Sequence, residues 1–247
     1  MCNERRSKVK DGGSENSRKF DIFIEGEIVD LCVPSNESWV IDQWYRWFND
    51  EKITAYLDQG VFPNTVEKQK EFYEMLLAGN ERIALLIRPK SENYFSGVVS
   101  LSFIDFKTRQ CDLSMVIGEI RSPSSLLYGM EAKCRMTEHA FEKLGVERIN
   151  TGQVVDLIKW QRLHVLLGYQ IEGIARKKFR KGYKVWDVMM SSCLLEDYLK
   201  LKEMRNGSLW PGKQKMFEMI KNLPEESPID RLQEWLHRER EESWKKM

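Results

Sequence analysis

The chain has 247 residues, of which 42% are hydrophobic and 11% aromatic, so it can bury a substantial core and is not predominantly disordered. Its 39 basic and 38 acidic side chains give a net charge of +1, which provides no overall field for attracting nucleic acid or an anionic membrane. We therefore expect small-molecule partners, with no nucleic-acid partner and no membrane partner.

Residues 1–19 are polar and basic, and they lack the apolar segment typical of a secretory signal or a membrane anchor. The cysteines are odd in number and far apart, which predicts free thiols in a reducing compartment: Cys2, Cys32, Cys111, Cys134 and Cys193. We predict a cytoplasmic protein that begins with a polar tail.

The β-branched and aromatic residues from Phe20 to Val33 predict one bent strand or two short strands. The stretch from Trp39 to Phe48 has the spacing of a helix with two aromatic sides. Asn64 and Glu67 have the form of a capping box for a second helix, which runs through Leu77. Because the core needs only one aromatic side of the first helix, we interpret the other as a candidate ligand surface.

Period-two apolar patterns then predict three antiparallel strands, at Ile83–Ile87, Tyr94–Phe106 and Cys111–Gly118. A loop from Ile120 to Tyr128 leads into a helix predicted for Gly129–Leu144.

The next elements are a strand at Arg148–Val155, a helix at Ile158–Leu167, and a hairpin of Tyr169–Phe179 and Val185–Cys193. Together these patterns predict the α/β fold class, with a mixed sheet and helices on both of its faces.

Three more helices are predicted at Glu196–Met204, Lys213–Lys221 and Pro228–Trp244. They make residues 196–247 a helical extension appended to a domain of residues 20–195. Their apolar side chains indicate that the extension docks on the domain or forms the interface of a homo-oligomer: Trp210, Phe217, Trp235 and Leu236.

Several common kinds of catalytic site are missing from the sequence. His139, His164 and His237 are not spaced as metal ligands, and no paired cysteines or HExxH motif accompany them, so we predict no metal site. Neither GxSxG nor GxxxxGK[ST] occurs, which argues against the common hydrolase and NTPase classes.

A longer pattern begins with a strand from Asp112 to Glu119, continues through a loop, and enters a helix with Gly129-Met-Glu-Ala. It ends with Val155-Asp-Leu-Ile-Lys-Trp-Gln-Arg-Leu-His164 and Leu167-Gly-Tyr169. This pattern resembles the donor-binding core of the GNAT acyltransferase superfamily, over roughly residues 20–195. The resemblance implies an N-acyltransferase with acyl-CoA as co-substrate, whose pyrophosphate binds at a helix N-terminus.

The donor loop of the superfamily reads Gln/Arg-x-x-Gly-x-Gly/Ala, and Ser122, Ser125 and Leu127 stand at those positions, with Arg121 one place early. The resemblance implies a donor site in which serine hydroxyls and one arginine replace the glycine loop; a helix entry without a ligand is the alternative. The expected donor residues are Val116, Ile117, Arg121, Ser122, Ser124, Ser125, Leu127, Tyr128, Gly129, Met130, Leu157 and Trp160.

His164 occupies the tyrosine position of the superfamily pattern Asn-x-x-Ala/Ser-x-x-Leu-Tyr-x-x-x-Gly-Phe, where the tyrosine protonates the departing thiolate. An imidazole with an unperturbed pKa of ~6.5 can perform that task near neutral pH, although a lone histidine on a helix is often a packed residue. Asp112 is the candidate base for the amine, or else a carboxylate on the solvent face of a strand. Leu157 replaces the asparagine of the pattern.

The acceptor region resembles GNAT enzymes that acylate dTDP- or UDP-linked deoxyamino sugars in polysaccharide or flagellin-glycan pathways. Its expected residues are Trp47, Asn49, Asp50, Gln59, Phe62 and Asn64, with Lys178 and Arg180 contacting phosphates. The aromatic residues could instead belong to the core, and the basic run could be a solvated hairpin. The expected acyl group is acetyl or a longer hydroxyacyl chain. A protein N-terminus, a polyamine or an antibiotic as acceptor, and a noncatalytic acyl-CoA-binding module, are the alternatives.

Overall fold

The computed structural model describes residues 18–122 and 124–245. Its eight described strands form one mixed sheet in the order β1-β2-β3-β4-β5-β6-β8-β7. The strands are β1 (Ile22–Glu25), β2 (Val29–Cys32), β3 (Ile83–Pro89), β4 (Gly97–Asp105), β5 (Gln110–Ile117), β6 (Arg148–Val154), β7 (Gln170–Lys181) and β8 (Lys184–Leu194). The helices are α1 (Ser38–Asn49), α2 (Glu51–Thr54), α3 (Val66–Ala78), α4 (Ser125–His139), α5 (Ile158–Val165), α6 (Leu195–Met204), α7 (Lys213–Lys221) and α8 (Asp230–Lys245).

Helices cover both faces of the sheet, as the sequence predicts. The larger core lies against α4 to α7 and includes Leu113, Met130 and Leu163. The smaller core lies on the other face, where Trp44 of α1 and Tyr73 of α3 pack against the sheet. Alternating burial along the strands supplies both cores, because successive side chains point to opposite faces. The α/β fold class is confirmed.

Strands β5 and β6 separate after a short parallel contact. The paired residues are Gln110–Asp112 with Arg148–Asn150. Beyond them, β5 stays paired with β4 as far as Ile117, and β6 stays paired with β8 as far as Val154. A gap therefore opens in the middle of the sheet, where the facing backbone groups of β5 and β6 are available to a ligand.

Helix α4 begins at Ser125, four residues before the predicted start at Gly129, so the loop predicted through Tyr128 is shorter than expected. The reason is tertiary: Leu127 and Tyr128 are buried in the larger core and belong to the first turn of the helix. The predicted end is accurate, although residues Ala140–Leu144 form a π-helical segment that Gly145 ends with a φ of 69°.

The cap of α3 also differs from the prediction. Thr65 is the N-cap residue, and its hydroxyl accepts a hydrogen bond of 3.2 Å from Lys68 N. Asn64 instead exchanges hydrogen bonds with Asn49: Asn64 N donates to Asn49 Oδ1 (2.8 Å), and Asn49 Nδ2 donates to Asn64 O (3.1 Å). The Asn64–Glu67 capping box is therefore wrong by one residue, and Asn64 fixes the loop before α3.

The C-terminal helices pack on the helices that border the gap. The Arg205 guanidinium donates to Leu166 O (2.6 Å), just after α5, and the Ser227 hydroxyl donates to Gln161 Oε1 (3.1 Å) on α5. Trp235 and Trp244 on α8 remain 48% and 65% exposed. An oligomer interface on α8 stays a prediction.

The cysteines and the lengths of the helices bear on the expectations of free thiols and of no membrane anchor. Its four cysteines, Cys32, Cys111, Cys134 and Cys193, are buried free thiols; Cys2 lies outside the described residues, as do residues 1–17 of the predicted tail. No described helix combines the length and apolarity that crossing a bilayer requires.

Candidate active site

The N-terminus of α4 stands beside the end of β5, at the mouth of the gap. A Cβ atom at Gly129 would lie 3.0 Å from Met115 Cε and 3.2 Å from Ile117 Cδ1. Without a side chain at Gly129, the first turns of α4 can lie directly on β5. Val116 and Ile117 are half-buried at this end of the strand. The order of strand, loop and helix predicted for a donor site is thus present.

The serines of the donor loop have different surroundings. Ser124 is the N-cap residue of α4, is half-buried, and makes no side-chain capping bond. Ser122 O accepts a bond of 3.1 Å from Ser125 N. Ser125 itself is buried, and its hydroxyl has no hydrogen-bond partner within residues 18–122 and 124–245. Ser122 and Ser124 therefore remain accessible at the helix start, whereas Ser125 is directed into the protein.

Three residues expected to contact the donor have side chains in the core. Leu127, Tyr128 and Met130 are buried in the larger core, and donor contact by these residues stays a prediction. Apolar side chains in the first turn of a helix on a sheet pack toward that sheet. Leu157 is the N-cap residue of α5, and Trp160 is half-buried against the same core.

Arg121 is held at the mouth of the gap by neighbouring side chains. Its Nε donates to Glu119 Oε2 (2.6 Å), and its guanidinium lies 3.9 Å from the centre of the Tyr94 ring. Glu119 Oε1 in turn accepts a bond of 2.7 Å from Gln43 Nε2 on α1. The donor loop is therefore connected to the helix that carries the predicted acceptor residues.

His164 lies inside the protein between α4, α5 and β6. It is 1% exposed, its Nε2 contacts Lys133 Nζ, and its Nδ1 contacts the Gln153 side-chain amide. Burial, together with the nearby Lys133, lowers the pKa of His164 well below its ordinary value. The accessible imidazole with an ordinary pKa that the sequence predicts is therefore wrong, because His164 is buried and its pKa is lowered.

Asp112 stands where β5 and β6 begin to separate, on the opposite face of the sheet from His164. It is the last β5 residue paired with β6, and its Oδ1 accepts a bond of 3.2 Å from Asn150 Nδ2. Its neighbours Cys111 and Leu113 face the larger core, so the Asp112 side chain points to the other face. This is the face that α1 and α3 cover.

A cavity of about 330 Å³ lies on the α1–α3 side. Three phenylalanines and several polar side chains line it: Phe48, Phe62, Phe72, Asp58, Gln59, Asn64, Lys68 and Gln69. Gln69 was not predicted; it is 2% exposed, and its Nε2 has no hydrogen-bond partner in the described part of the chain. Its place on the inner face of α3 is the only sequence signal that could have indicated it.

The remaining predicted acceptor residues on α1 and just after it have structural roles. Trp47 is buried, and its ring lies so close to Gly118 that a Cβ there would be 2.1 Å from it. Asn49 fixes Asn64, and Asp50 caps α2 by accepting from Lys52 N at 2.8 Å. Trp47 is therefore corrected from a substrate contact to a core residue. Asn49 and Asp50 are exposed, and their role as substrate contacts stays a prediction.

The basic hairpin reaches the cavity loop through a different residue from those predicted. Lys178 and Arg180 are exposed and do not line the cavity. Lys181, on the opposite face of β7, donates to the carbonyl oxygens of Gln59 (2.8 Å), Leu57 (3.3 Å) and Thr54. Alternation along β7 separates Lys181 from Lys178 and Arg180, which the composition of the run does not reveal.

Replacing Lys181 with Met should loosen the loop of residues 54–59 and weaken acceptor binding. We expect the acceptor KM to rise roughly tenfold, an effect of about 1.4 kcal/mol, because three carbonyl groups lose a charged donor. The affinity for coenzyme A should not change. Steady-state kinetics on Lys181→Met and on the exposed control Lys184→Met check this. Equal acceptor KM values for the two variants would dismiss the tether.

A family model described as "Acetyltransferase (GNAT) domain" matches residues 38–170 of the chain. The chain belongs to this family. The match includes α1, the gap between β5 and β6, α4 and α5. This GNAT protein is accordingly an acyl-CoA-dependent transferase, which confirms the class of enzyme predicted from the sequence.

Solved structures show the same fold. Spermidine N-acetyltransferase from Vibrio cholerae, in complex with CoA and spermine, has a TM-score of 0.62 and 18% identity over 70% of this chain and 99% of its own. A GNAT-family acetyltransferase from Bacillus anthracis has a TM-score of 0.59 and 19% identity, and the match covers 71% of this chain and 99% of its own. The microcin C7 self-immunity acetyltransferase MccE, in complex with acetyl-CoA and AMP, has a TM-score of 0.57 and 19% identity. That match covers 69% of this chain and 94% of its own. The search of curated proteins gives no significant match.

Proposed function

We propose that this GNAT protein transfers an acyl group from acyl-CoA to the amino group of a nucleotide-linked deoxyamino sugar. The observation that carries the proposal is the cavity beside α1 and α3. Its phenylalanine faces suit a base or a sugar ring, and its amide side chains suit hydroxyl and carbonyl groups. Lys68, which also lines the cavity, can meet a phosphate.

The donor half of the proposal uses the mouth of the gap. The free N–H groups and the dipole at the start of α4 favour a pyrophosphate there, with Ser122, Ser124 and Arg121 beside it. The pantetheine arm then follows the unpaired edge of β5 into the gap. The donor carries an acetyl or a longer hydroxyacyl group.

The transfer is direct, from thioester to amine. Asp112 removes a proton from the acceptor ammonium, through water or by contact, because an ammonium has no lone pair for attack. The amine attacks the thioester carbonyl carbon, and the nitrogen loses its second proton to solvent. The carbon–sulfur bond breaks, and the thiolate takes a proton. Asp112 fits the role of base because it lies at the start of the gap on the α1–α3 side of the sheet.

Polyamines are the second class of acceptor to consider. A polyamine carries several ammonium groups, and a site for it needs several carboxylates. Asp58 is the one carboxylate among the described residues that line the cavity, and Lys68 opposes a cation. The charge of the cavity therefore favours a nucleotide-linked substrate over a polyamine.

The test is a measurement of free-thiol release from acetyl-CoA and 3-hydroxybutyryl-CoA with a panel of amines. The panel contains UDP- and dTDP-linked amino sugars, the free amino sugars, spermidine and a peptide with a free N-terminus. We expect kcat/KM for a nucleotide-linked sugar to exceed that for the free sugar at least tenfold, about 1.4 kcal/mol of binding to the nucleotide. Preference for spermidine would replace the proposed acceptor. Calorimetric binding of coenzyme A without turnover on any amine would indicate a noncatalytic module.

A further inference from the structure

Three polar side chains from different elements meet in the interior next to the gap. Lys133 of α4 is 5% exposed, His164 of α5 is 1% exposed, and Gln153 of β6 is 9% exposed. Gln153 lies on the part of β6 that has separated from β5. The cluster therefore joins the three elements that border the gap on the side of the larger core.

The proton positions in the cluster follow from its hydrogen-bond groups. Gln153 Oε1 is buried and has no partner among the described residues, while its Nε2 faces His164 Nδ1. An amide oxygen and nitrogen exchange places by a half-turn, and that exchange pairs Oε1 with an Nδ1–H donor. His164 is then neutral, with its proton on Nδ1, and its Nε2 accepts from Lys133 Nζ.

Among the residues that the structure describes, no acid in the cluster can balance a second charge. In the described chain, no carboxylate lies within ion-pair distance of Lys133. The other neighbours are the Trp160 ring, 5.3 Å from Lys133 Nζ, and the Tyr169 ring, 5.3 Å from the His164 ring. The Tyr169 hydroxyl is paired with Thr137 (3.1 Å). Two adjacent cations without a counter-charge would repel, so the pair holds at most one proton more than its neutral state.

Burial determines which group carries that proton. Desolvation lowers the pKa of Lys133 to about 7, and the pKa of His164 is lowered well below its ordinary range. A lysine that loses and gains its proton near neutral pH is suited to proton transfer, whereas an ordinary structural lysine stays charged.

We propose that Lys133 is the acid that protonates the departing thiolate, and that His164 is a positioning residue that holds the Lys133 ammonium through Nε2. This inference rests on the proposed acyl transfer. As the carbon–sulfur bond breaks, the sulfur keeps the bonding electrons and takes a proton from the Lys133 ammonium. The neutral Lys133 amine regains a proton from water before the next cycle, while Asp112 returns the proton of the acceptor amine to solvent.

The first test is the pair Lys133→Met and Lys202→Met, compared in kcat, in acyl-CoA KM and over a pH series. Lys202 pairs with Glu142 away from the gap and is the matched control. Lys133→Met should lose roughly 100-fold or more in kcat with acyl-CoA KM within about threefold of wild type. Because the acid must be protonated, wild-type kcat should fall as pH rises above about 7.

Thermal melting distinguishes the loss of the acid from a loss of folding in Lys133→Met. Removing a buried cation that has no counter-charge should raise Tm at pH 7. The wild-type unfolded state binds more protons than the folded state between pH 7 and the ordinary lysine range, so wild-type Tm should rise with pH in that window. Lys133→Met should lack that rise.

The positioning role of His164 has its own measurement. In protein labelled with carbon-13 at the lysine ε carbon, one resonance should titrate near neutral pH and be absent in Lys133→Met. Without the ring acceptor, His164→Phe should move that midpoint, and the falling limb of kcat, to lower pH. A lysine midpoint that His164→Phe leaves unchanged contradicts the positioning role.

Two outcomes separate this inference from the proposed function. An active wild type with a Lys133→Met variant that keeps half its kcat and the same pH profile contradicts the acid role alone. A wild type that transfers no acyl group to any amine contradicts the acyltransferase function and the acid role together.

Discussion

Replacing Ser124 with Asp is expected to weaken coenzyme A binding roughly 10- to 100-fold without destabilising the protein. Ser124 is the N-cap residue of α4, where the pyrophosphate of the donor is proposed to bind. Two unit charges about 5 Å apart repel by about 3 kcal/mol at an effective dielectric constant of ~20. Solvent screening at this half-exposed position reduces that value, which leaves the stated range.

Stability should change in the opposite direction from affinity. Asp is as good an N-cap residue as Ser, and its charge is favourable at the positive end of the helix dipole. The Ser124→Asp variant should therefore melt at or slightly above the wild-type Tm while calorimetry shows weak coenzyme A binding. Ser124→Asn is the matched control, because it can cap the helix without a charge and should bind within about threefold of wild type. Normal binding by Ser124→Asp would place the pyrophosphate elsewhere.

Replacing Glu131 with Ala should destabilise the folded protein by about 3–5 kcal/mol. The Glu131 side chain on α4 is fully buried and accepts from the backbone N–H groups of Glu27 (2.5 Å), Ile28 (2.7 Å) and Val29 (3.0 Å). It also pairs with Arg135 at 3.1 Å. Its removal leaves three donors of the β1–β2 turn without their acceptor, and Arg135 keeps only its pair with Glu138 among the described residues.

Thermal and chemical unfolding of three variants measure this effect. Glu131→Ala should lower Tm by roughly 6–20 °C, given about 2–4 °C per kcal/mol for a chain of this size. Glu131→Gln keeps one oxygen acceptor and should be less damaging. The exposed Glu74→Ala on α3 is the control and should change stability by less than about 0.5 kcal/mol. A Glu131→Ala variant as stable as this control would show that the turn finds other partners.

The pattern of apolar residues and the local chemistry of the chain determine much of the fold of this protein. Alternation at Cys111–Gly118 and helical spacing at Ile158–Leu167 gave β5 and α5 within two residues of their observed bounds, because those periods reflect burial on one face. The order of strand, loop and helix is a local feature, because consecutive elements pack on the same sheet. That order was enough to predict the family. Gln59, Phe62 and Asn64 were placed in the acceptor region, and all three line the cavity.

Tertiary structure alone decided which polar groups meet. Lys133 and His164 are 31 positions apart, and Lys181 reaches carbonyl groups more than 120 positions away. Trp47 and Gly118 are also far apart in the sequence, and they meet in the fold. Their contact places in the core a side chain that was expected to bind a ligand. A periodic pattern shows which face of an element is buried, but not which element covers it. The accessibility and pKa of His164 depend on that second fact, since desolvation and a neighbouring cation arise only when α4, α5 and β6 come together.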